Sequence, residues 1–291
     1  MKKLVVIAGP TAVGKTAYAV ALAQKSGTEI VSCDSRQFYR EMKIGVARPD
    51  DDELAAVRHH FIACRSVEEP YDVYRYGEDA AACVNHLLES HDTAIAVGGS
   101  GLYITALGGG IAQMPDPAPG LREHLQQMLR DEGIGSLRSL LSKMDPEYYS
   151  RVDLANPARL QRALEVCITA GRPYSEMLRE SRSERPFAIE YIVLATDTDT
   201  LRSRINSRVD RMVADGLVDE VESLTQYRHL NTLNTVGYRE IFGYLDGTTS
   251  LQQAIEAVKL NTWHYAKKQL TWFRKYLKDA LWMDPAEPRP M

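Results

Sequence analysis

Over the first 110 residues, the hydrophobic positions alternate between short apolar runs and longer stretches with helical spacing. Three such runs, and a fourth much later in the chain, predict buried strands at Leu4–Ala8, Glu29–Ser32, Thr93–Val97 and Tyr191–Ala195. Helical spacing covers Ala17–Lys25 and Tyr74–Ser90. Strands that alternate with helices indicate a parallel sheet flanked by helices, so the pattern predicts an α/β fold.

A different pattern occupies the middle of the chain. Gly108-Gly109-Gly110 and three nearby prolines mark a boundary, and from Leu121 to about Arg185 the spacing is only helical. The apolar stripes that carry this signal are Leu121, Leu125, Met128 and Leu129; Leu137, Leu140 and Leu141; and Leu160, Ala163, Leu164, Val166 and Cys167. We therefore predict a core of residues 1–114 and 186–291 and an inserted all-helical domain of residues 115–185.

The remaining segments complete the predicted architecture. Ile205–Gln226 and Ser250–Lys278 have the spacing of two long helices. Met42–Tyr71 is charged and irregular, which predicts loop and short helix. Asp284–Met291 is expected to be a frayed tail.

The turn after the first predicted strand carries the most specific chemistry. The P-loop pattern G-x-x-x-x-G-K-[ST] is matched by Gly9, Pro10, Thr11, Ala12, Val13, Gly14, Lys15 and Thr16. The backbone N–H groups of such a loop and the following helix N-terminus form an anion site. We expect Lys15 to contact phosphate oxygens and the Thr16 hydroxyl to hold Mg²⁺. The motif is typical of nucleotide-binding and ATP-binding proteins, but it specifies only a polyphosphate.

Asp34 directly follows the second predicted strand. Because the ligand crevice of an open parallel sheet lies beyond the carboxyl ends of its strands, Thr16 and Asp34 are expected to face one cavity. A carboxylate there can accept a proton or hold a metal-bound water. The alternative, on position alone, is that Asp34 caps a following helix.

The third predicted strand ends in Gly98-Gly99-Ser100-Gly101, where a nucleotide hydrolase usually has a Walker B aspartate. The glycines are expected to let a substrate approach the backbone closely. A tight strand-to-helix turn explains them equally well.

The last predicted helix has a basic surface. The stretch Lys259–Lys278 has six basic residues and no acidic one, beside an apolar stripe of Leu260, Trp263, Leu270, Phe273 and Leu277. A basic face interleaved with aromatic residues suits contact with a phosphate backbone, although such a face is more often simply solvated. Arginine pairs one helical turn apart, each able to present two cations on one face, are Arg159 with Arg162 and Arg208 with Arg211.

Composition restricts the function classes. The 291 residues have a net charge of −4 and a pI of about 6.0, so any nucleic-acid surface must be a local cluster of Lys and Arg. Four scattered cysteines without a C-x-x-C pair indicate reduced thiols rather than a zinc site or a disulfide framework. The N-terminal apolar run is too short for a signal peptide, and no stretch approaches a membrane span. We expect a cytoplasmic protein with no membrane partner.

In their order along the chain, these motifs resemble one family, the tRNA dimethylallyltransferases, also called tRNA isopentenyltransferases. The resemblance runs from about residue 4 to residue 276. It rests on Gly9–Thr16, Asp34–Tyr39, Gly98–Tyr103, Asn156–Glu165, Arg208, Met212, Gly216, Leu217, Glu220, Val221, Val236–Glu240 and Lys268–Arg274. Ser100 stands where a Thr is more common. The zinc-finger extension of eukaryotic relatives is missing, which favours a bacterial-type enzyme.

The resemblance implies a P-loop NTPase-like core that transfers a dimethylallyl group from dimethylallyl diphosphate to tRNA. The acceptor would be N6 of the adenosine on the 3′ side of the anticodon, giving N6-dimethylallyladenosine and diphosphate. Asp34 would be the base, Lys15 and Arg208 would act on the leaving diphosphate in the Gly9–Thr16 loop, and Thr16 would hold Mg²⁺. The tRNA anticodon stem-loop would contact Asp34, Ser35, Arg36, Gln37, Ser100, Arg122, Ala158, Arg159, Leu160, Gln161, Arg162, Lys267, Lys268 and Arg274. We expect a monomer.

Three other classes compete with this interpretation. A P-loop small-molecule or nucleotide kinase is the leading alternative, and the missing Walker B aspartate and the basic last helix argue against it. A regulatory GTPase needs an Asn-Lys-x-Asp motif that the sequence lacks. A non-catalytic RNA-binding protein would leave the P-loop without a purpose.

Overall fold

A six-stranded, fully parallel sheet with strand order β3-β2-β4-β1-β5-β6 forms the centre of the computed structural model, which describes residues 2–109, 111–180 and 184–286. The strands are β1 (Lys3–Ala8), β2 (Ile30–Ser32), β3 (His59–His60), β4 (Thr93–Gly98), β5 (Ala188–Leu194) and β6 (Leu281–Met283). Residues Leu4–Ala8 of β1 have no solvent exposure. A strand buried on both faces has a continuous apolar run, as the sequence shows here.

Helices surround the sheet and fill the inserted segment. Within the described ranges they are α1 (Lys15–Ser26), α2 (Asp51–Ala56), α3 (Val73–Ser90), α4 (Gly101–Gly109), α5 (Leu121–Glu132), α6 (Ile134–Met144), α7 (Pro146–Tyr149), α8 (Pro157–Ala170), α9 (Tyr174–Glu180), α10 (Thr198–Ala214), α11 (Leu217–Ser223), α12 (Tyr238–Leu245) and α13 (Leu251–Tyr276). The predicted α/β fold with a parallel sheet and helical insert is confirmed. None of the described helices is long and apolar enough to cross a membrane.

The carboxyl edge of the sheet positions the site. Strands β2, β4 and β1 are neighbours in the sheet and run in the same direction. The turns that follow them therefore meet at one edge, which is where open α/β sheets bind ligands. Those turns contain the P-loop, Asp34 and the Gly98–Gly101 segment.

The chain divides into two compact units, Met1–Gly108 with Arg185–Met291, and Gly109–Glu184. The second unit has its own core, in which the three predicted apolar stripes pack together around Leu125, Leu137, Leu141, Leu160, Ala163 and Leu164. Arg185, which the prediction assigns to the insert, belongs to the first unit. Its guanidinium donates to the Leu107 carbonyl at 3.0 Å and to the Ala106 carbonyl at 2.9 Å, at the end of α4.

The structure corrects several predicted elements. The predicted helix Ile205–Gln226 is broken because Gly216 has a φ of 99° at the N-cap of α11. Strands β3 and β6 and helix α12 were not predicted. The strands have only two and three residues, too few for a periodic signal. Gly110 of the predicted boundary and residues 287–291 of the predicted tail lie outside the described residues.

Candidate active site

The P-loop joins β1 to α1 and leaves the start of the helix open to an anion. Gly9 has a φ of 155°, and a Cβ there would lie 2.6 Å from the carbonyl oxygen of Leu194. Ala12 and Gly14 also have positive φ angles, 66° and 104°. Gly14 is the N-cap of α1, and no side chain in the described part of the chain caps this terminus. The first N–H groups of α1 are therefore available to a phosphate group.

Three side chains from distant elements hold the loop. Gln269 of α13 accepts a hydrogen bond from the Thr11 backbone N–H at 2.9 Å. From α10, Arg204 donates to the Val13 carbonyl at 3.1 Å, and Arg208 donates to the Thr11 hydroxyl at 3.4 Å. Arg208 was predicted as a site residue, whereas Gln269 and Arg204 were not.

A cavity of about 830 Å³ opens beside the loop. Its lining brings together the predicted site residues Thr11, Ala12, Gly14, Lys15, Thr16, Asp34, Ser35, Arg36, Gln37 and Arg208. Pro10 and Val13 contribute carbonyl oxygens to the loop, where they accept from Lys15 and Arg204. The expectation that Thr16 and Asp34 face one cavity is met, because both line it.

Lys15 and Asp34 influence each other's ionisation. The Lys15 ammonium donates to the Pro10 carbonyl at 2.8 Å. Burial and the charge of Arg208 lower the pKa of Lys15 to about 7, while Asp34 opposes that shift. Burial raises the pKa of Asp34 above its ordinary value, against the opposing effects of the Arg36 backbone N–H and the Lys15 charge. A carboxylate with a raised pKa is a stronger base than an exposed one.

The segment after β2 is organised by short hydrogen bonds. Asp34 does not cap a helix, since its carboxylate accepts from the Arg36 N–H at 2.9 Å and no helix begins there. The Ser35 N–H donates to the Ser100 hydroxyl at 3.1 Å, which links this segment to the turn after β4. The Gln37 amide nitrogen donates to the Ala47 carbonyl at 2.9 Å. Gln37 therefore braces the cavity wall as well as lining the cavity.

One carboxylate that the prediction did not assign to the site orders the loop opposite the P-loop. Glu220 of α11 accepts from the backbone N–H groups of Lys43, Ile44 and Gly45, at 3.0, 2.6 and 2.9 Å. It also accepts from the Tyr238 hydroxyl at 2.6 Å. Residues 43–50 line the cavity, so Glu220 fixes part of its shape without lining it.

The glycines after β4 form the tight strand-to-helix turn that was the alternative prediction; Gly98 and Gly99 also line the cavity, so close approach of a substrate to their backbone stays a prediction. A Cβ on Gly98 would lie 2.2 Å from the Cys33 carbonyl oxygen, and one on Gly99 would lie 2.3 Å from the amide nitrogen of Gln269. A Cβ on Gly101 would lie 2.4 Å from the Trp272 indole. The protein's own groups fill the space over these glycines. Because the glycines have no side chains, three elements can meet in one tight turn.

Helix α13 has exposed basic residues, as predicted, but one residue of its predicted apolar stripe is not buried. Leu260, predicted to lie in the apolar stripe, is 50% exposed. Lys267 lies over the Trp263 ring at 5.5 Å and Arg274 lies over the Trp282 ring at 5.7 Å. Lys267, Lys268 and Arg274 are all exposed.

The predicted tRNA-binding residues of the insert differ in their exposure. Glu165 is only 3% exposed and accepts from Arg122 at 2.9 Å and from Arg162 at 3.4 Å. Burial would raise the pKa of Glu165, but hydrogen bonds and charge from both arginines hold it below its ordinary value. Leu160 has no exposed surface, so a role in tRNA binding does not extend to its side chain. Ala158, Arg159 and Gln161 lie with Leu160 and Arg162 in the first half of α8, whereas Arg122 lies in α5.

The low pKa of Lys15 predicts proton uptake when an anion binds at the P-loop, with inorganic diphosphate as the probe. At about pH 8 most Lys15 is neutral in the free protein, and a bound anion raises its pKa, so binding takes up close to one proton. Calorimetry with inorganic diphosphate in buffers of different ionisation enthalpy measures the uptake, and Lys15→Met removes that contribution. Equal proton uptake by the variant and the wild type would contradict the assignment.

Comparisons of sequence identify the family. The model of the IPP transferase family matches residues 37–276. A tRNA dimethylallyltransferase of Christiangramia forsetii is 47% identical over 94% of this chain and 90% of its own length. A tRNA dimethylallyltransferase of Flavobacterium johnsoniae is 44% identical over 99% of this chain and 95% of its own length.

Solved structures agree with these relatives. The tRNA isopentenylpyrophosphate transferase of Bacillus halodurans has a TM-score of 0.70 at 35% identity, over 98% of this chain and 90% of its own. A eukaryotic dimethylallyltransferase, captured acting on tRNA, has a TM-score of 0.80 at 25% identity, over 99% of this chain and 75% of its own. The chain therefore belongs to the IPP transferase family, the family of the tRNA dimethylallyltransferases.

Proposed function

We propose that the protein transfers the dimethylallyl group of dimethylallyl diphosphate to N6 of the adenosine on the 3′ side of the tRNA anticodon. Family membership supports a tRNA-modifying prenyltransferase. The observation that carries the proposal is one cavity lined by both the P-loop anion site and Asp34, a half-buried carboxylate with a raised pKa. The kinase alternative is not favoured, because the related proteins are tRNA prenyltransferases.

The two sides of the cavity would serve the two reacting partners. The bond between the allylic carbon and diphosphate breaks while the bond from that carbon to N6 forms. Negative charge then develops on the diphosphate, where the N–H groups of α1, Lys15 and Arg208 would stabilise it. The N6 proton would pass to Asp34, since an exocyclic amine loses a proton as it becomes alkylated. The P-loop would thus hold a leaving group.

The donor set at the P-loop fits Mg²⁺. The ion prefers oxygen ligands and usually combines one or two protein groups with substrate phosphates and water. Thr16 offers a hydroxyl in the cavity, and the described residues form no cluster of three His, Cys, Asp or Glu that would build a protein-only site. Mg²⁺ held by Thr16 would neutralise diphosphate charge.

Three further assignments complete the proposal. The helical unit Gly109–Glu184 would bind the anticodon stem-loop through Arg122, Arg159, Gln161 and Arg162. The exposed cations Lys267, Lys268 and Arg274 of α13 would bind its phosphates. We propose that the enzyme acts as a monomer in the cytoplasm.

Gln269 connects the two sides of the cavity. Its carbonyl oxygen accepts from the Thr11 N–H at 2.9 Å, and its amide nitrogen donates to the Gly99 carbonyl at 2.9 Å. The side chain is 6% exposed, so both bonds lie in a buried environment. Gly99 precedes Ser100, which bonds the Asp34 segment through Ser35. Gln269 would therefore fix the distance between the leaving group and the base.

Transfer itself tests the proposal and the role of Asp34. Labelled dimethylallyl diphosphate and unmodified tRNA should yield labelled RNA, and Asp34→Asn should slow this about 10²–10⁴-fold because the base is lost. The wild-type rate should fall as the pH drops through the raised pKa of Asp34, since only the carboxylate accepts a proton. ATP hydrolysis without labelled RNA would contradict the function. An Asp34→Asn rate within about threefold of wild type would contradict the base.

Thr16→Ala should raise the Mg²⁺ concentration needed for half-maximal transfer, because one oxygen ligand is removed. Titration of Mg²⁺ against the rate measures this, with Thr11→Ala as a control that removes a neighbouring loop hydroxyl. Identical Mg²⁺ curves for wild type and Thr16→Ala would show that Thr16 is not a ligand.

Gln269→Met should lower kcat about 10–100-fold while changing the KM for tRNA much less, because small misplacements of reacting groups reduce the rate steeply. Gln252→Met is the matched control, since Gln252 is an exposed glutamine of the same helix. A loss of thermal stability in Gln269→Met with unchanged kcat would mean that the residue has only a structural role.

A further inference from the structure

Helix α13 carries three aromatic residues that the proposed chemistry does not use. Tyr265, Trp272 and Tyr276 have the spacing i, i+7 and i+11, which places them within about 40° of one another around the helix. We call these three residues the aromatic stripe. Tyr265 is 41% exposed, Tyr276 is 56% exposed and Trp272 is half-buried. The stripe extends about 16 Å along the helix axis.

The aromatic stripe begins at the cavity and leads away from it. Tyr265 lines the cavity, where burial of its hydroxyl and the charge of Asp34 raise the pKa of that hydroxyl to about 12. The Trp272 indole packs on Gly101, and its ring centre lies 4.9 Å from that of Tyr276. Leu102, beside Gly101, is 56% exposed and adds apolar surface.

Positive charge borders the aromatic stripe. Lys268 and Lys275 are exposed on the adjacent face of α13, and the Lys275 ammonium lies 5.1 Å from the centre of the Tyr276 ring. The sequence has no Asp or Glu from residue 257 to residue 278. Exposed aromatic rings bordered by cations, on a stretch of helix without acidic residues, are the features with which proteins bind single-stranded nucleic acid.

We propose that the aromatic stripe stacks unpaired bases that flank the target adenosine, while Lys268 and Lys275 contact their phosphates. A base that enters the cavity must leave the stack of its loop, and its neighbours then lose a stacking partner. Aromatic rings placed at the cavity mouth replace that partner. The length of the stripe accommodates more than one nucleotide, given a rise of about 3.4 Å per nucleotide in a stacked strand. The inference rests on the proposed function, because it assumes an RNA substrate.

Binding of an unmodified anticodon stem-loop RNA, followed by fluorescence anisotropy at several salt concentrations, tests the proposal. Tyr276→Ala should weaken RNA binding at least about fivefold, because each stacked base contributes about 1–3 kcal/mol. The double variant, Tyr265→Ala with Tyr276→Ala, should weaken it further. Tyr276→Phe should bind as wild type, since the ring is retained. The slope of log affinity against log salt concentration should be unchanged in the aromatic variants. In Lys275→Gln it should be shallower by about 0.7, because one phosphate contact is lost.

Leu260→Ala is the matched control, because Leu260 is 50% exposed on the same helix but points about 140° away from the aromatic stripe. RNA with abasic flanking nucleotides should bind wild type and Tyr276→Ala equally. If the double tyrosine variant bound the RNA with wild-type affinity, the stacking inference would be overturned. The proposed function would stand, because transfer by the wild-type enzyme does not depend on that result. Failure of the wild type to transfer label or bind the RNA would overturn both.

Discussion

The open N-terminus of α1 is the constraint around which this site is built. Burial of β1 in the centre of the sheet fixes where the helix starts, and Gly14 begins it without a capping side chain. Backbone N–H groups without a partner are costly unless an anion or water meets them, and the helix dipole favours a ligand of negative charge at this terminus. Desolvation and the charge of Arg208 lower the pKa of Lys15, and a bound anion opposes both effects. Both features favour a diphosphate in the same place.

The hydrogen bonds that hold the P-loop also hold the opposite side of the cavity. Gln269 bonds the loop and the turn after β4, and Ser100 of that turn bonds the segment that contains Asp34. The glycines of the turn allow this because the space over them is filled by Cys33, Gln269 and Trp272. The distance between the anion site and Asp34 is thus set by a few polar contacts. Such preorganisation suits a reaction in which charge separates between two fixed points.

Much of this arrangement is predictable from the sequence because its signals are local. The strand before Gly9, the P-loop pattern and the alternation of strands with helices all depend on neighbouring residues, and the structure confirms them. The contacts of Gln269 and Glu220 were not predictable, because they join residues 258 and about 176 positions apart and nothing near them in sequence signals the partner. The glycines after β4 signalled close approach, but the sequence did not show that the approaching groups belong to the protein. Leu260 matched the apolar spacing, yet tertiary packing leaves it exposed.

A crystal structure with an unreactive dimethylallyl diphosphate analogue, in which methylene replaces the oxygen between the allylic carbon and phosphorus, tests the central claim most directly. The account predicts the diphosphate on the first N–H groups of α1, in contact with Lys15 and Arg208, with the allylic carbon facing Asp34. A diphosphate bound away from the P-loop, or an allylic carbon facing away from Asp34, would contradict it.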